Sequence, residues 1–133
     1  MARFMLQASD HKGIVESLTA QFRDLMATSE QGIYLYLDDR NKACNARFAQ
    51  MLGYRNPEDW AAVTSPFPEA FVQTDSQEVL IDAFQDAMQN GVAATIPVTW
   101  KSRDGRPVET DVVLVPIDHD GHRVALHFID PAA

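Results

Sequence analysis

Cysteine, histidine and paired carboxylates are the side chains through which a 133-residue chain most readily does chemistry, and here they are few. Cys44 is the single cysteine, and His11, His119, His122 and His127 are the four histidines. A thiolate activated by a histidine would be a nucleophile. Nothing in the spacing brings a histidine to Cys44, and a small free cysteine at a strand end reads as packing. His119 and His122 are two possible metal ligands, but they flank a turn and lack convincing third and fourth partners. Asp118 and Asp120 imitate the start of a calcium loop without its remaining acidic positions, so they read as turn residues. No catalytic residue and no metal ligand is assigned, and the chain is not expected to be an enzyme.

Composition bounds the remaining possibilities. Eleven Lys and Arg stand against 19 Asp and Glu, a formal net charge of -8, and 46% of residues are hydrophobic. A chain of this length buries roughly two thirds of its unfolded surface, enough for one domain without disulfides or metal. Scattered cations in an acidic chain form no stripe for nucleic-acid phosphates, and no basic amphipathic helix for a membrane surface. No apolar stretch approaches the ~20 residues that span a bilayer, and the opening MARFMLQASDHK has no signal-peptide core. The expected address is cytoplasmic.

The elements follow from periodicity and turn chemistry. Residues 11–29 read as an amphipathic helix with Val15, Leu18, Phe22 and Leu25 on one stripe and Ser9 or Asp10 as its cap. That stripe must dock on its own domain or on a second copy. GIYLYLDD reads as a strand apolar on both faces. A short strand through Lys42 to Cys44 follows, then a short helix capped by Asn45 and closed by Gly53. Four aromatics and three prolines over 54–73 indicate short helical turns. A longer helix spans Asp75 to Asn90, with Thr74 and Gln77 or Asp75 and Glu78 spaced as a capping box. Three antiparallel strands close the chain, Ala94–Ser102, Val108–Ile117 and Val124–Ile129, joined by two Asp-Gly turns. Pro97 suggests a bulge or an unpaired amide.

This order resembles the Per-Arnt-Sim (PAS) sensor domain over Gln31 to Asp130. The resemblance rests on GIYLYLDD, on Asn45 through Leu52-Gly53-Tyr54 and Pro57-Glu58, and on the long helix closed by Asn90-Gly91. It continues through Arg103-Asp104-Gly105, Pro116 and Gly121 to Asp130. It implies an α+β fold: a five-stranded antiparallel sheet with short helices and one longer helix cupping one face, plus an N-terminal flanking helix. The expected division is a flanking helix in residues 1–30, the domain in 31–130 and a tail in 131–133.

The resemblance also separates cofactor chemistries. Flavin photosensors of the light-oxygen-voltage type carry a cysteine in the helical segment before the long helix, and residues 54–90 have none. At the three positions where those sensors hold the flavin ring edge, this chain has Trp100, Thr110 and Phe128. Haem-binding members commonly use a histidine on the long helix, and none lies between Asp75 and Asn90. No cofactor is expected; a small apolar or aromatic ligand fits better than flavin or haem.

Counting along the strands places Ile96, Val98, Trp100, Thr110, Val112, Leu114, Leu126 and Phe128 in the cup, with Phe84 and Met88 from the helix, beside space for a ligand against Trp100. The same counting puts Tyr34, Tyr36 and His127 on the outer sheet face, beside Val113 and Val115. There they join Val15, Leu18, Phe22 and Leu25 as a homodimer interface. The expected function is non-catalytic sensing or relay, through ligand-dependent or dimer-dependent interaction with a downstream signalling protein or with an effector domain removed from the chain. One alternative is a flavin-binding redox-sensing PAS domain. Another is a small α+β cone enzyme of the ketosteroid-isomerase type, which needs long helices first and a polar cavity.

Overall fold

A computed structural model of the chain describes residues 8–132, with side chains from His11 onward. Eleven elements occur among them: α1 (Ala8–Gln21), α2 (Arg23–Thr28), β1 (Gly32–Asp38), β2 (Asn41–Cys44), α3 (Ala46–Met51), α4 (Pro57–Ala61), α5 (Phe67–Phe71), α6 (Thr74–Asn90), β3 (Ala94–Lys101), β4 (Pro107–His119) and β5 (His122–Pro131). The strands form one antiparallel sheet in the order β2-β1-β5-β4-β3, so the last strand in sequence is the middle one in space. The expected α+β architecture is the observed one.

The expected single helix over 11–29 is two helices bent at Phe22, whose amide still donates to Leu18 and whose carbonyl still accepts from Met26. The bend carries Met26 to the sheet, where it is buried with Ile33. Ser9 and Asp10 fall inside α1 rather than at its start, and their side chains lie outside the described residues. The capping box of α6 does not form. Gln77 instead donates to the carbonyls of Pro68 and Val72 at the end of α5, while Ser76 Oγ accepts from Thr99 N of β3. Pro97 needs no bulge, because β3 is an edge strand and its pairing with Asp111 is regular.

Turn chemistry sets the hairpins. Asp120 and Gly121 have φ of 50° and 80°, the left-handed pair that lets a two-residue loop follow the twist of the flanking strands. Gly32 opens β1 where α3 crosses it; a Cβ there would meet Phe48 Cβ at 3.2 Å and Met51 Sδ at 3.1 Å.

Two cores lie on opposite faces of the sheet. The larger packs α3 to α6 over Tyr34, Val98, Trp100, Val112, Leu114, Ala125 and Ile129. The smaller packs Ile14 and Leu18 of α1 and Met26 of α2 over Ile33, Leu35, Val124 and Leu126. Thus the apolar stripe of the N-terminal helix docks on its own domain. His11 Nδ1, 2.7 Å from Asp38 Oδ2, ties α1 to the β1–β2 turn.

Asn45 joins these parts. Its Oδ1 accepts from Ile33 N and Phe48 N, both at 3.0 Å, and its Nδ2 donates to Met26 O at 3.2 Å and Gln31 O at 3.0 Å. The residue is 4% exposed. Truncation leaves buried backbone groups unpaired, which costs on the order of 1–3 kcal/mol per group before relaxation and water entry. Asn45→Ala should therefore lower the free energy of unfolding by about 3 kcal/mol in urea titration. A loss below about 1 kcal/mol would show that the carboxamide is dispensable.

Candidate functional site

Register decides what the cup contains. β4 and β5 pair with Leu114 opposite His127 and Val112 opposite Ile129, and β1 pairs with β5 with Tyr34 opposite His127. Directly opposed residues share a sheet face. The cup side of β5 is therefore Ala125, His127 and Ile129, and that of β1 is Tyr34 and Tyr36.

This corrects five sequence-based placements. Tyr34, Tyr36 and His127 turn into the cup rather than toward a dimer partner, while Leu126 and Phe128 turn outward, Leu126 into the α1 cluster and Phe128 beside it. The physical reason is a one-residue offset, which sends every side chain of a strand to the opposite face. Ile96, Val98, Trp100, Thr110, Val112 and Leu114 do face the cup, with Phe84 and Met88 packed against the same cluster. On the outer side Val15 and Leu18 are buried, Phe22 is half-buried and Leu25 is exposed.

The β3–β4 half of the cup is filled. Trp100 Nε1 donates to Thr110 Oγ1 at 2.8 Å, and Thr110 Oγ1 donates to Val98 O at 2.8 Å, so both buried polar groups are satisfied within the sheet. Around Tyr34 lies an aromatic cluster: ring centroids reach Phe48 at 5.1 Å, Phe67 at 5.5 Å, Trp100 at 5.7 Å and Trp60 at 5.8 Å.

Free volume lies instead on the β1–β5 side, in a partly open cavity of about 190 Å³ lined by Tyr34, Tyr36, Phe67, Pro68, Leu80, Ile81, Phe84, Gln85 and His127. Only Phe84 among the ten residues expected to form a ligand pocket lines it. Leu80 and Phe84, one turn apart on α6, and the Phe67-Pro68 pair in the aromatic and proline-rich segment were the available sequence signals. The helix above this cavity is held at both ends. Gln73 N donates to Thr99 O at 3.0 Å at its start, and Arg123 Nη1 donates to Met88 O at 3.0 Å in its last turn, where a cation suits the helix dipole.

Titratable groups around the cup are held away from their ordinary ranges by burial. Tyr36 donates to Asp39 Oδ1 at 2.7 Å, and burial together with that carboxylate pushes its phenol up. Burial, with Glu58 adding to it, pushes the Cys44 thiol up, which opposes a thiolate at neutral pH. His119 Nε2 lies 3.2 Å from Ser17 Oγ, and His122 meets the ring of His11 edge-on. Among the described residues no three His, Cys, Asp or Glu side chains are arranged to hold a metal ion. Lys42 had no sequence signal: it is 5% exposed, with Nζ donating to the carbonyls of Asp39, Ala61 and Val63 and lying 5.4 Å from the Trp60 ring.

His127 is buried in the cup wall. Its ring stacks on Tyr34 at 3.8 Å between centroids and 9° between planes, and burial pushes its pKa down to about 3. A base whose folded pKa lies below its unfolded value of about 6.5 favours the unfolded chain once protons bind. Its neutral-state stability is complete above pH about 6.5 and is lost as pH falls, at up to about 1.4 kcal/mol per unit. Urea titrations at pH 7, 6 and 5 should show this slope in the wild type and a flatter one in His127→Phe. Equal slopes would mean that the imidazole is solvated.

A sequence comparison with curated proteins finds no match. The family description "PAS domain" matches residues 20–85. Among solved structures, the PAS domain of an HTR-like protein from Haloarcula marismortui is 17% identical, covering 93% of this chain and 99% of that chain, with a TM-score of 0.60. A PAS domain from a two-component sensor histidine kinase is 13% identical over 88% and 99%, with a TM-score of 0.64. The Rhodobacter sphaeroides LOV protein is 14% identical over 89% and 68%, with a TM-score of 0.66. With the five-stranded sheet, its cupping helices and this sequence match together, the chain belongs to the PAS domain family.

Proposed function

We propose that the chain is a non-catalytic sensing and relay module, in which occupancy of the cavity under α6 is transmitted to the helix covering the opposite face of the sheet. One observation carries the reading: the two faces share the same short strands. On β1, Tyr34 and Tyr36 line the cavity while Ile33 and Leu35, their immediate neighbours, pack with α1. On β5, His127 lines the cavity and Leu126 packs with α1. A shift of either strand that accommodates a ligand therefore moves the surface on which α1 rests.

The output is a change in how α1 and α2 meet a downstream signalling protein or a second copy of the chain. Leu25, 41% exposed beside the half-buried Phe22, offers the apolar contact for such a partner. The structure of a PAS domain from a sensor histidine kinase supports a sensing role by likeness of fold. The small cavity supports a small apolar or aromatic ligand over flavin or haem, since a cavity of about 150 Å³ already fits one benzene ring. No helix among the described residues is long and apolar enough to cross a membrane.

Hydrogen exchange of residues 11–28 tests the relay. Saturating the cavity with a small aromatic should change the protection of the α1 amides at least several-fold while the β3–β4 amides stay as they were. Unchanged α1 protection at full occupancy would overturn the reading.

A further inference from the structure

A second recess, an open cleft of about 270 Å³, lies beside the edge strand β2, where α1 and α2 meet the start of α3. It shares no residue with the cavity under α6. Met26 and Cys44, 8% and 6% exposed, form its floor. Burial pushes the Cys44 thiol up, so this floor is apolar and uncharged at neutral pH. Two exposed cations border the same cleft from separate elements: Arg23, the first residue of α2, and Arg47, the second residue of α3. No Asp or Glu lines it, in a chain with 19 such residues against 11 Lys and Arg. Arg55, Arg106 and Arg123 each meet an aspartate, whereas neither Arg23 nor Arg47 forms an ion pair with a described side chain. Two like charges that converge on one recess repel each other, and a guest anion relieves the repulsion. Ser29 adds a donor: its Oγ accepts from Gln31 N at 3.0 Å and keeps its own proton to give. Thr19 has none to offer, because its Oγ1 donates to Val15 O at 2.7 Å.

We infer that the cleft binds a small organic acid with an apolar body, its carboxylate between the Arg23 and Arg47 guanidiniums with Ser29 Oγ as third donor, and its hydrocarbon resting on Met26 and Cys44. The planar guanidinium fork matches the two oxygens of a carboxylate, which makes charge the source of discrimination. The floor adds affinity, up to about fourfold for each methylene it removes from water. An inorganic anion meets the same guanidiniums but leaves that floor uncovered.

Hexanoate is the probe, with hexanamide as its uncharged counterpart and inorganic phosphate as the anion without a hydrocarbon body. Calorimetric titration of the whole chain should show hexanoate binding at least about tenfold tighter than hexanamide and at least about threefold tighter than phosphate. Raising the salt from about 50 mM to about 500 mM should weaken hexanoate at least about threefold, since both guanidiniums stand at the surface. Arg23→Gln and Arg47→Gln should each weaken it at least about fivefold, while Arg40→Gln, at an exposed arginine outside the cleft, should change it less than about twofold. The amide signals of Ser29 and Arg47 should move with hexanoate, and those of Tyr36 and Phe84 should stay. If an arginine variant does not fold, the wild-type ratios and the pattern of moving signals decide alone. Equal binding of acid and amide, tighter binding of phosphate, an affinity untouched by either cleft arginine, signals moving only at Tyr36 and Phe84, or no saturable binding of hexanoate would each overturn the assignment.

Discussion

The carboxamide of Asn45 is the constraint on which the arrangement depends. One buried side chain binds backbone groups of α2, of the segment entering β1, of β1 itself and of α3. Because it holds Ile33 N, it holds β1 in one position along the sheet, and a strand displaced by one residue would present its other face to each core. Tyr34 and Tyr36 meet the cavity, and Ile33 and Leu35 meet α1, only in that register. Chemically the role suits asparagine, which offers two acceptor sites and two donors on one short side chain.

Legibility in the sequence followed the presence of polar markers. On β3 and β4 the outward positions include Thr95, Thr99, Glu109 and Asp111, so the alternation with Ile96, Val98, Val112 and Leu114 read correctly. On β1 and β5 both faces are covered, and Ile33, Leu35 and Leu126 are as apolar as the rings they alternate with. No contrast remains in such a strand from which to choose a face, and the choice fell one residue off. Element order and both Asp-Gly turns were legible because they rest on local chemistry that tertiary packing does not override. The cap at Asn45 was legible for the same reason, but its bonds to Met26 and Gln31 depend on distant segments and had no local sign. The site was read least well: the cup was found, but its empty part lies beside residues assigned to the other face.

Filling and vacancy divide the cup between its two halves. Trp100 is large enough to close the β3–β4 side once Thr110 satisfies its indole N–H, and the two were adjacent in pairing order to do so. On the β1–β5 side the rings of Tyr34 and His127, directly opposed on neighbouring strands, stack on each other and border the cavity. The gap under Phe84 is the geometric remainder. Interiors are otherwise close-packed, so such a remainder is a property of these particular side chains.

The docked helix also changes what counts as the domain. Because Ile14 and Leu18 complete a core with β1 and β5, a chain cut at Gln31 would bare Ile33, Leu35, Val124 and Leu126 together along neighbouring strands. A contiguous apolar face of that kind recruits whatever covers it, including another truncated copy. Dimers of a shortened chain would then report the missing helix rather than a native contact. Moving this domain into another protein requires carrying α1 and α2 with the sheet as one cassette.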